Sequence, residues 1–404
     1  MASALSAKEH GVNDILIIER NAVLGGVLSQ CIHNGFGIER FHKDMTGTEY
    51  ARAYIEKVEK AGIRYLVSTT VLNISPNLVI AAVGQESGYI EIHAKTIILA
   101  MGCRERSGGS LLISGERPSG IYSAGTAQRY LNLEGYLVGR KIVILGSGDV
   151  GLIMARQFML EGAKVIAVVE RLPYASGSER NIKQCLDDFK IPIYYNTTVI
   201  SIEGKERVSG VILTHLNEQG TPVPGTEQYI QCDTLIVSAG LIPENELSSS
   251  AGVEISPVTG GAIVDDKFHT SVDGIFSCGN VLYVHSLVDQ VSAEGEQVGK
   301  NAADYLMMGM TRAKKTASVI GGKGIRFVVP QKICLTENDD DIELQFRASG
   351  KYLDRYVEVN SGGCLVKRQK FRSISPKEVS RMHVPRQSIH DDLTISVTDD
   401  NIQI

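Results

Sequence analysis

Residues 141–170 read KIVILGSGDVGLIMARQFMLEGAKVIAVVE, and this stretch decides the fold. An apolar run, KIVIL, ends at Gly146; a helix-type run, VGLIMARQFMLEG, follows; a second apolar run, KVIAVVE, closes on Glu170, 24 residues after Gly146. Strand, glycine turn, helix and strand in that order form a βαβ unit built to hold a pyrophosphate. Gly146 permits the tight turn, Gly148 lets backbone approach the phosphates, and Gly151 lets the helix lie close to the strand. Asp149 and Val150 open the helix whose N–H groups face the ligand. Glu170 is placed to take the adenosine ribose hydroxyls, and its charge disfavours a 2′-phosphate. That points to NAD over NADP, although Arg171 beside it weakens the preference.

Working outward, the chain holds a second, incomplete copy. Residues 1–20, MASALSAKEHGVNDILIIER, carry a small-residue helix, a glycine at its end and an apolar strand closing on Glu19. That is the back half of the same unit, with Glu19 in the ribose position and Leu24-Gly25-Gly26 supplying backbone donors. The leading strand and its glycine turn are missing. A strand of about 5–6 residues contributes two ladders of hydrogen bonds, each net about 0.5–1.5 kcal/mol. Its buried Val or Ile side chains add roughly 1.5–3 kcal/mol each, a sum comparable with a domain's whole stability. Met1 is therefore expected to be an internal methionine of a longer natural chain. The sequence as given is expected to bind the first dinucleotide weakly or not at all, while the complete second unit folds either way.

The two copies also end alike. TIILAMGCRER (96–106) and TLIVSAGLIPE (234–244) each run from Thr through an apolar strand to a glycine, Gly102 and Gly240. These landmarks divide the chain into 1–112, 113–241, a return to the first domain over 242–312, and a tail over 313–404. The tail's short runs, among them DIELQFRASG and RYVEVNSGGCLVKRQKF, have strand character with turn residues between them. The expected class is α/β: two interleaved Rossmann-like dinucleotide-binding domains, the first lacking its leading strand and GxGxxG turn, plus a small C-terminal β-rich domain.

Composition narrows the partners. With 404 residues, 43% hydrophobic, 22% charged and a net charge of −5, nothing points to a nucleic-acid footprint. No apolar run approaches the roughly 20 residues of a membrane span. The seven cysteines (31, 103, 185, 232, 278, 334, 364) form neither a CxxC pair nor a zinc pattern. Scattered cysteines of this kind fit reduced thiols in a cytoplasm.

TSVDGIFSCGN, residues 270–280, bears on the first domain's ligand through a resemblance. It resembles the flavin-binding Thr-x-x-x-Gly-Ile-Phe-x-x-Gly-Asp signature of the pyridine nucleotide–disulfide oxidoreductase superfamily, matching Thr270, Gly274, Ile275, Phe276 and Gly279. The resemblance implies FAD, with Asn280 standing where the family's Asp holds the ribityl chain. DQVSAEGEQVG (289–299) is similar to the helix that meets the flavin edge, which implies contacts from Asp289, Gln290 and Val291. A helix N-terminus there favours a reduced, anionic flavin. LGGVLSQCIHNGFG (24–37), GERPSGIYSAGTAQRYLNLEGYLVGR (115–140) and GLIPENEL (240–247) resemble a branch without a redox disulfide. These are the FAD/NAD subunits of heteromeric sarcosine oxidase, opine and hydroxyproline dehydrogenases and glycerol-3-phosphate dehydrogenase complexes. Within it the likeness is greatest to a clostridial-type subunit that accompanies a glycerol-3-phosphate dehydrogenase and a small CxxC protein. The implied activity is an FAD/NAD-dependent oxidoreductase subunit that passes hydride between NAD(H) and flavin, relays electrons with a flavin-containing dehydrogenase partner, and works in an oligomer.

Two other readings stay open. Cys31, five residues after Gly26 and near His33 and His42, is similarly placed to the lone cysteine of flavin NADH oxidases and peroxidases, which cycles through sulfenic acid. A free cysteine is also among the most often buried side chains, and reactivity needs a lowered pKa. Cys103 and Cys278 read as small core fillers beside glycine turns. His285 either lines the flavin edge or caps the turn before the next helix, and Arg104, Glu105 and Arg106 form a charged loop. The second alternative is a non-catalytic nucleotide-binding subunit.

Overall fold

The computed structural model describes residues 1–309, 315–335 and 340–398. The chain forms two compact units, one of residues 1–28, 34–103 and 243–404, the other of residues 29–33 and 104–242. The expected break at 312/313 lies outside the described residues.

The first unit opens with helix α1 (Ala2–Glu9), strand β1 (Leu16–Ile18), helix α2 (Gly47–Lys60), strand β2 (Arg64–Leu66) and, after an antiparallel meander over residues 69–93, strand β3 (Ile97–Leu99). Helix α2 starts in a capping box, in which the Thr46 side chain accepts from Glu49 N–H and the Glu49 side chain accepts from Thr46 N–H. It buries Tyr50, Ala51, Tyr54 and Val58 on one face. Residues 275–277 and 288–308 return to this unit as a strand and a long helix. The strand runs parallel to β3 with Ile97 opposite Ile275, and β1 runs parallel to β2 with Leu16 opposite Arg64. Among the described residues these two pairs share no hydrogen-bonded ladder. Each is held instead by side chains: β1 through Ile17 packs with Ala4, Leu24, Val58 and Ile63, and β3 packs through Ile97 and Leu99 with Phe276, Leu282 and Val298.

The second unit contains strand β4 (Ile121–Ser123), helix α3 (Ala124–Asn132), strand β5 (Lys141–Leu145), helix α4 (Asp149–Leu160), and strands β6 (Lys164–Val169), β7 (Ile193–Tyr194) and β8 (Thr234–Val237). Its parallel sheet runs β4-β8-β5-β6-β7 and is complete. Ile142, Val143, Ile144 and Val168 are wholly buried, because helices cover one face and a four-stranded sheet over residues 114–231 adjoins the other.

The returning strand of the first unit is β9 (Ile275–Ser277) and the long helix is α5 (Val288–Met308). The tail folds as a five-stranded sheet and a three-stranded sheet around a core that includes Ile333, Leu344, Phe346, Val357, Val359 and Ile395. Arg386 ties this tail to the segment before β9 through an ion pair with Asp266 at 2.7 Å.

Helices α1 and α5 cross at backbone contact. A Cβ added to Gly299 would lie 2.2 Å from the Ser3 carbonyl oxygen, and one added to Gly295 would lie 3.4 Å from Ala2 Cβ. Gly299→Val must push the helices apart. We expect it to lower stability by about 2 kcal/mol or more, read by urea denaturation, with Gly295→Ala much milder; equal stabilities would refute the close crossing.

Candidate functional site

In the first unit the residues of the expected flavin site gather at the carboxyl ends of β1, β3 and β9. Glu19 ends β1, with its N–H bonded to Leu66 O at 2.8 Å and one carboxylate oxygen accepting from Asn21 N–H at 2.8 Å. The Met1 α-amino group is buried at the head of α1, and desolvation lowers its pKa despite the opposing fields of Cys278 and Glu19. The N-terminus of α1 therefore lies at the ends of both strand pairs, where a helix dipole attracts phosphate. Gly25, Gly26, Gly102 and Gly279 all have positive φ, between +56° and +117°. Added Cβ atoms at Gly26 and Gly102 would meet nothing within 4 Å, whereas one at Gly279 would crowd Val291 at 3.2 Å. Gly26 and Gly102 thus leave open space beside their backbone, and Gly279 is closely approached by the first turn of α5.

Asp289, in the first turn of α5, is buried. Its Oδ2 accepts from Glu39 N–H at 2.9 Å, and its buried Oδ1 has no protein partner among the described residues. An orphaned acceptor beside a helix N-terminus fits a polar ligand that donates to it. Asn280 is partly committed: its Oδ1 accepts from His285 N–H at 2.9 Å, which leaves Nδ2 as the side chain's remaining donor. These residues fit an FAD.

In the second unit the glycine motif folds as its sequence requires. Gly146 has φ +102°, and a Cβ there would sit 2.1 Å from Ser238 O; at Gly151 it would sit 2.8 Å from Ser238 Cβ. Those two glycines let β5 and α4 close against the end of β8. At Gly148 the nearest atom would be 3.9 Å away, so that position is open. Gly148 caps α4 without a side-chain hydrogen bond, leaving the helix's first N–H groups for a ligand. Gly240, φ +97°, likewise has open space around its Cα. This turn fits the pyrophosphate of NAD.

Glu170 differs in detail from the expectation. It is buried, and its carboxylate already accepts from Ser147 N–H at 3.0 Å, Ser147 Oγ, Ser176 Oγ at 3.2 Å and Leu172 N–H at 2.9 Å. A ribose hydroxyl would share a carboxylate that also braces the glycine turn. Asp149 Oδ1 accepts from Ser178 N–H at 2.8 Å, Ser178 Oγ at 3.0 Å and Asn181 Nδ2 at 2.7 Å, drawing the loop after β6 over the motif. Sequence spacing marks both acids but not these serine partners, which lie 29 residues from the turn.

Cys31 is buried, its thiol 3.8 Å from Gln128 Oε1, and burial pushes its pKa up to about 11. Cys278 is likewise pushed up to about 12 by burial. Thiols held that high are protonated at neutral pH and are poor nucleophiles. Glu105 accepts from Gly125 N–H at 2.7 Å in the first turn of α3, an N-terminal cap where the sequence offers a charged loop. Asp265, Asp266 and Cys334 bring their ligand atoms within 4.8 Å of one another. Arg386 already engages Asp266, and the Cys334 thiol faces Asp265 at 3.5 Å, so the cluster is satisfied internally.

Two dinucleotide folds in one chain define an FAD- and NAD(P)-dependent oxidoreductase. Residues 1–303 match the model of the pyridine nucleotide-disulphide oxidoreductase family, and the chain belongs to that family. It is 24% identical over 317 residues to ferredoxin–NADP reductase of Ignicoccus hospitalis, covering 77% of this chain and 95% of that protein. It is 24% identical over 316 residues to the A subunit of the opine oxidase of Rhizobium meliloti, covering 69% of this chain and 56% of the relative. Over 189 residues it is 29% identical to the glutamate synthase [NADPH] small chain of Escherichia coli, covering 42% of this chain and 38% of the relative. Thioredoxin reductase of T. acidophilum shares the fold with a TM-score of 0.60 at 21% identity, over 76% of this chain and 95% of that one.

Two outcomes test this geometry. Gly148→Val should fold normally yet weaken NADH binding at least about tenfold by filling the open approach, measured by calorimetry; unchanged affinity would remove the turn from the site. At pH 8 a thiol at about 11 carries roughly two hundred-fold less thiolate than a free one at about 8.5. Alkylation of Cys31 should therefore lag far behind exposed Cys364 and climb about tenfold per pH unit up to pH 10. Equal rates by peptide mass spectrometry would show a reactive Cys31.

Proposed function

We propose that this chain is the electron-transfer subunit of a larger dehydrogenase: it passes hydride equivalents between NAD(H) and FAD and exchanges the electrons with a partner that oxidises the substrate. The observation that carries the reading is the coexistence in one chain of a complete GxGxxG turn and a separate set of residues that fits a second dinucleotide, Glu19, Gly25, Gly26, Gly102, Gly279, Asn280 and Asp289. Two of the relatives are by name parts of larger enzymes, an opine oxidase and a glutamate synthase, which supports a heteromeric setting. The opine oxidase likeness spans most of this chain. An amine, imino-acid or glycerol-3-phosphate dehydrogenase is the partner class we favour, with a small CxxC protein as a further member.

Bound FAD supplies the two-electron centre that NAD(H) reduces or is reduced by. The chain's own task is positioning and electrostatics. Gly148 and the first N–H groups of α4 hold one pyrophosphate. Glu170 braces that turn through its four donors and selects NAD, since a carboxylate at this place repels a 2′-phosphate. Glu19, the head of α1 and the Gly279–Asn280 turn hold the other dinucleotide, and the N-terminus of α5 favours negative charge at the flavin. Protonated Cys31 supports a route that uses no thiol, which disfavours the peroxidase alternative.

The purified chain, held with excess FAD because the missing leading strand is expected to weaken its grip on that dinucleotide, tests this by the flavin's visible spectrum before and after anaerobic NADH. Chain-dependent bleaching with NADH, slower with NADPH, is the expected result. A folded chain that binds NADH but leaves saturating FAD oxidised would overturn the reading in favour of a nucleotide-binding subunit.

A further inference from the structure

Glu294 lies within the DQVSAEGEQVG stretch but is given no role by it, yet it is the hub of a buried polar network beside the Gly279–Asn280 turn. It lies on α5 with its side chain 1% exposed. One oxygen, Oε1, accepts from Gly279 N–H at 2.5 Å. The other, Oε2, faces His285 Nε2 at 3.1 Å and Tyr283 Oη at 3.1 Å. The His285 side chain is also 1% exposed, and its ring stacks on Tyr283 with centroids 4.0 Å apart.

The protons of this network can be counted. His285 N–H donates to Asn280 Oδ1, which fixes the orientation of that amide. His285 Nδ1 then faces two acceptors, Tyr283 O at 2.9 Å and Asn280 Oδ1 at 3.3 Å, so Nδ1 carries a hydrogen. Gln345 donates from Nε2 to Glu343 at 2.9 Å, so its Oε1 and Glu294 Oε2 both face the single hydroxyl proton of Tyr283. Whichever of them takes it, His285 Nε2 and Glu294 Oε2 remain face to face. A neutral imidazole with hydrogen on Nδ1 and an ionised carboxylate would oppose lone pair to lone pair there. One further proton must lie between them.

We propose that Glu294 and His285 act as one buried acid, sharing a single proton, and that this pair is the positioning device of the Gly279–Asn280 turn. With that proton the pair is neutral as a unit, whichever atom carries it. Glu294 grips the turn through Gly279 N–H, and His285 grips it through Asn280 Oδ1, so the side chain of Asn280 presents Nδ2. The surrounding charges leave this balance intact. The Cys278 thiol is held protonated by burial, Glu343 lies 3.8 Å from Arg381, and Arg347 donates to Val284 O at 2.8 Å. The role toward a flavin rests on the function proposed above: a neutral pair adds no negative charge beneath a turn that meets an anionic dinucleotide.

The test needs no flavin, so it stands or falls apart from that reading. The chain is labelled with ring-15N histidine, and His285 is assigned among the nine histidines by its loss in His285→Gln. At neutral pH the expected spectrum shows Nδ1 protonated and Nε2 partly protonated. Glu294→Gln can still accept from Gly279 N–H and can donate its amide to Nε2. That variant should leave Nδ1 protonated and move Nε2 to the position of an unprotonated nitrogen. Identical Nε2 signals in wild type and Glu294→Gln would overturn the proposal. Hydrogen exchange at the Gly279 amide gives the second reading. Glu294→Ala should speed it at least about tenfold while Glu294→Gln stays near wild type, and equal protection in all three chains would show that Glu294 does not hold the turn. If the alanine variant does not fold, the glutamine comparison decides alone.

Discussion

The distance at which a helix can approach another backbone governs both halves of this protein. A helix N-terminus serves a phosphate only if its free N–H groups reach the ends of the neighbouring strands. Ordinary side chains hold packed helices about 8–10 Å apart. In the second unit Gly146 and Gly151 remove that barrier against Ser238, and α4 closes on the end of β8. In the first unit Gly299 does the same against Ser3, so that α1 is pinned by α5 with its buried head in the field of Glu19 and Cys278. The same physical device recurs with different geometry, strand against helix in one case and helix against helix in the other.

That recurrence explains which parts of the fold are legible in the sequence. The glycine spacing around residue 146, the strand ending on Glu170 and the strand-to-glycine runs at 102 and 240 are local, and backbone conformation alone makes them necessary. The opening residues are legible for the same reason: a helix, a glycine and a strand ending in Glu19 announce half of a βαβ unit. The structure shows β1–β2 and β3–β9 as separate parallel pairs held by side-chain packing. The β-rich tail is visible as alternating short runs, but its division into sheets of five and three strands depends on pairings such as residues 319–321 with 393–395, which no local pattern encodes.

The site is less legible where it depends on distant partners. Spacing marks Glu170 as a ribose ligand, and it is also the acceptor for Ser176 and for the turn itself. His285 has two roles open to it in the sequence; in the structure its N–H donates to Asn280 Oδ1 and its ring meets Glu294, nine residues on. Its motif gives Glu294 no role, because one of the residues that define its environment, Gln345, lies 62 residues beyond Tyr283 in the tail. Cys31 has the right neighbours in sequence for redox work and the wrong ones in space, since burial against Gln128 favours the neutral thiol.

Those thiols bear on how electrons travel. The family takes part of its name from disulphide chemistry, which needs a thiolate and a second sulfur within about 2 Å once the bond forms. Here none of the seven cysteines forms a disulfide, and burial holds Cys31, Cys185, Cys232 and Cys278 at about 11 to 12. Desolvation of that size removes the nucleophile before any question of partner geometry arises. With those four thiols protonated, the proposed hydride route draws on none of them, and what the chain itself controls is the charge around its cofactors. On the function proposed above, Glu170, Asp289 and the Glu294–His285 pair are the groups that would do so. Each is a buried acid whose charge is managed by specific donors, four for Glu170 and a shared proton for Glu294, with Asp289 Oδ1 left open to a ligand.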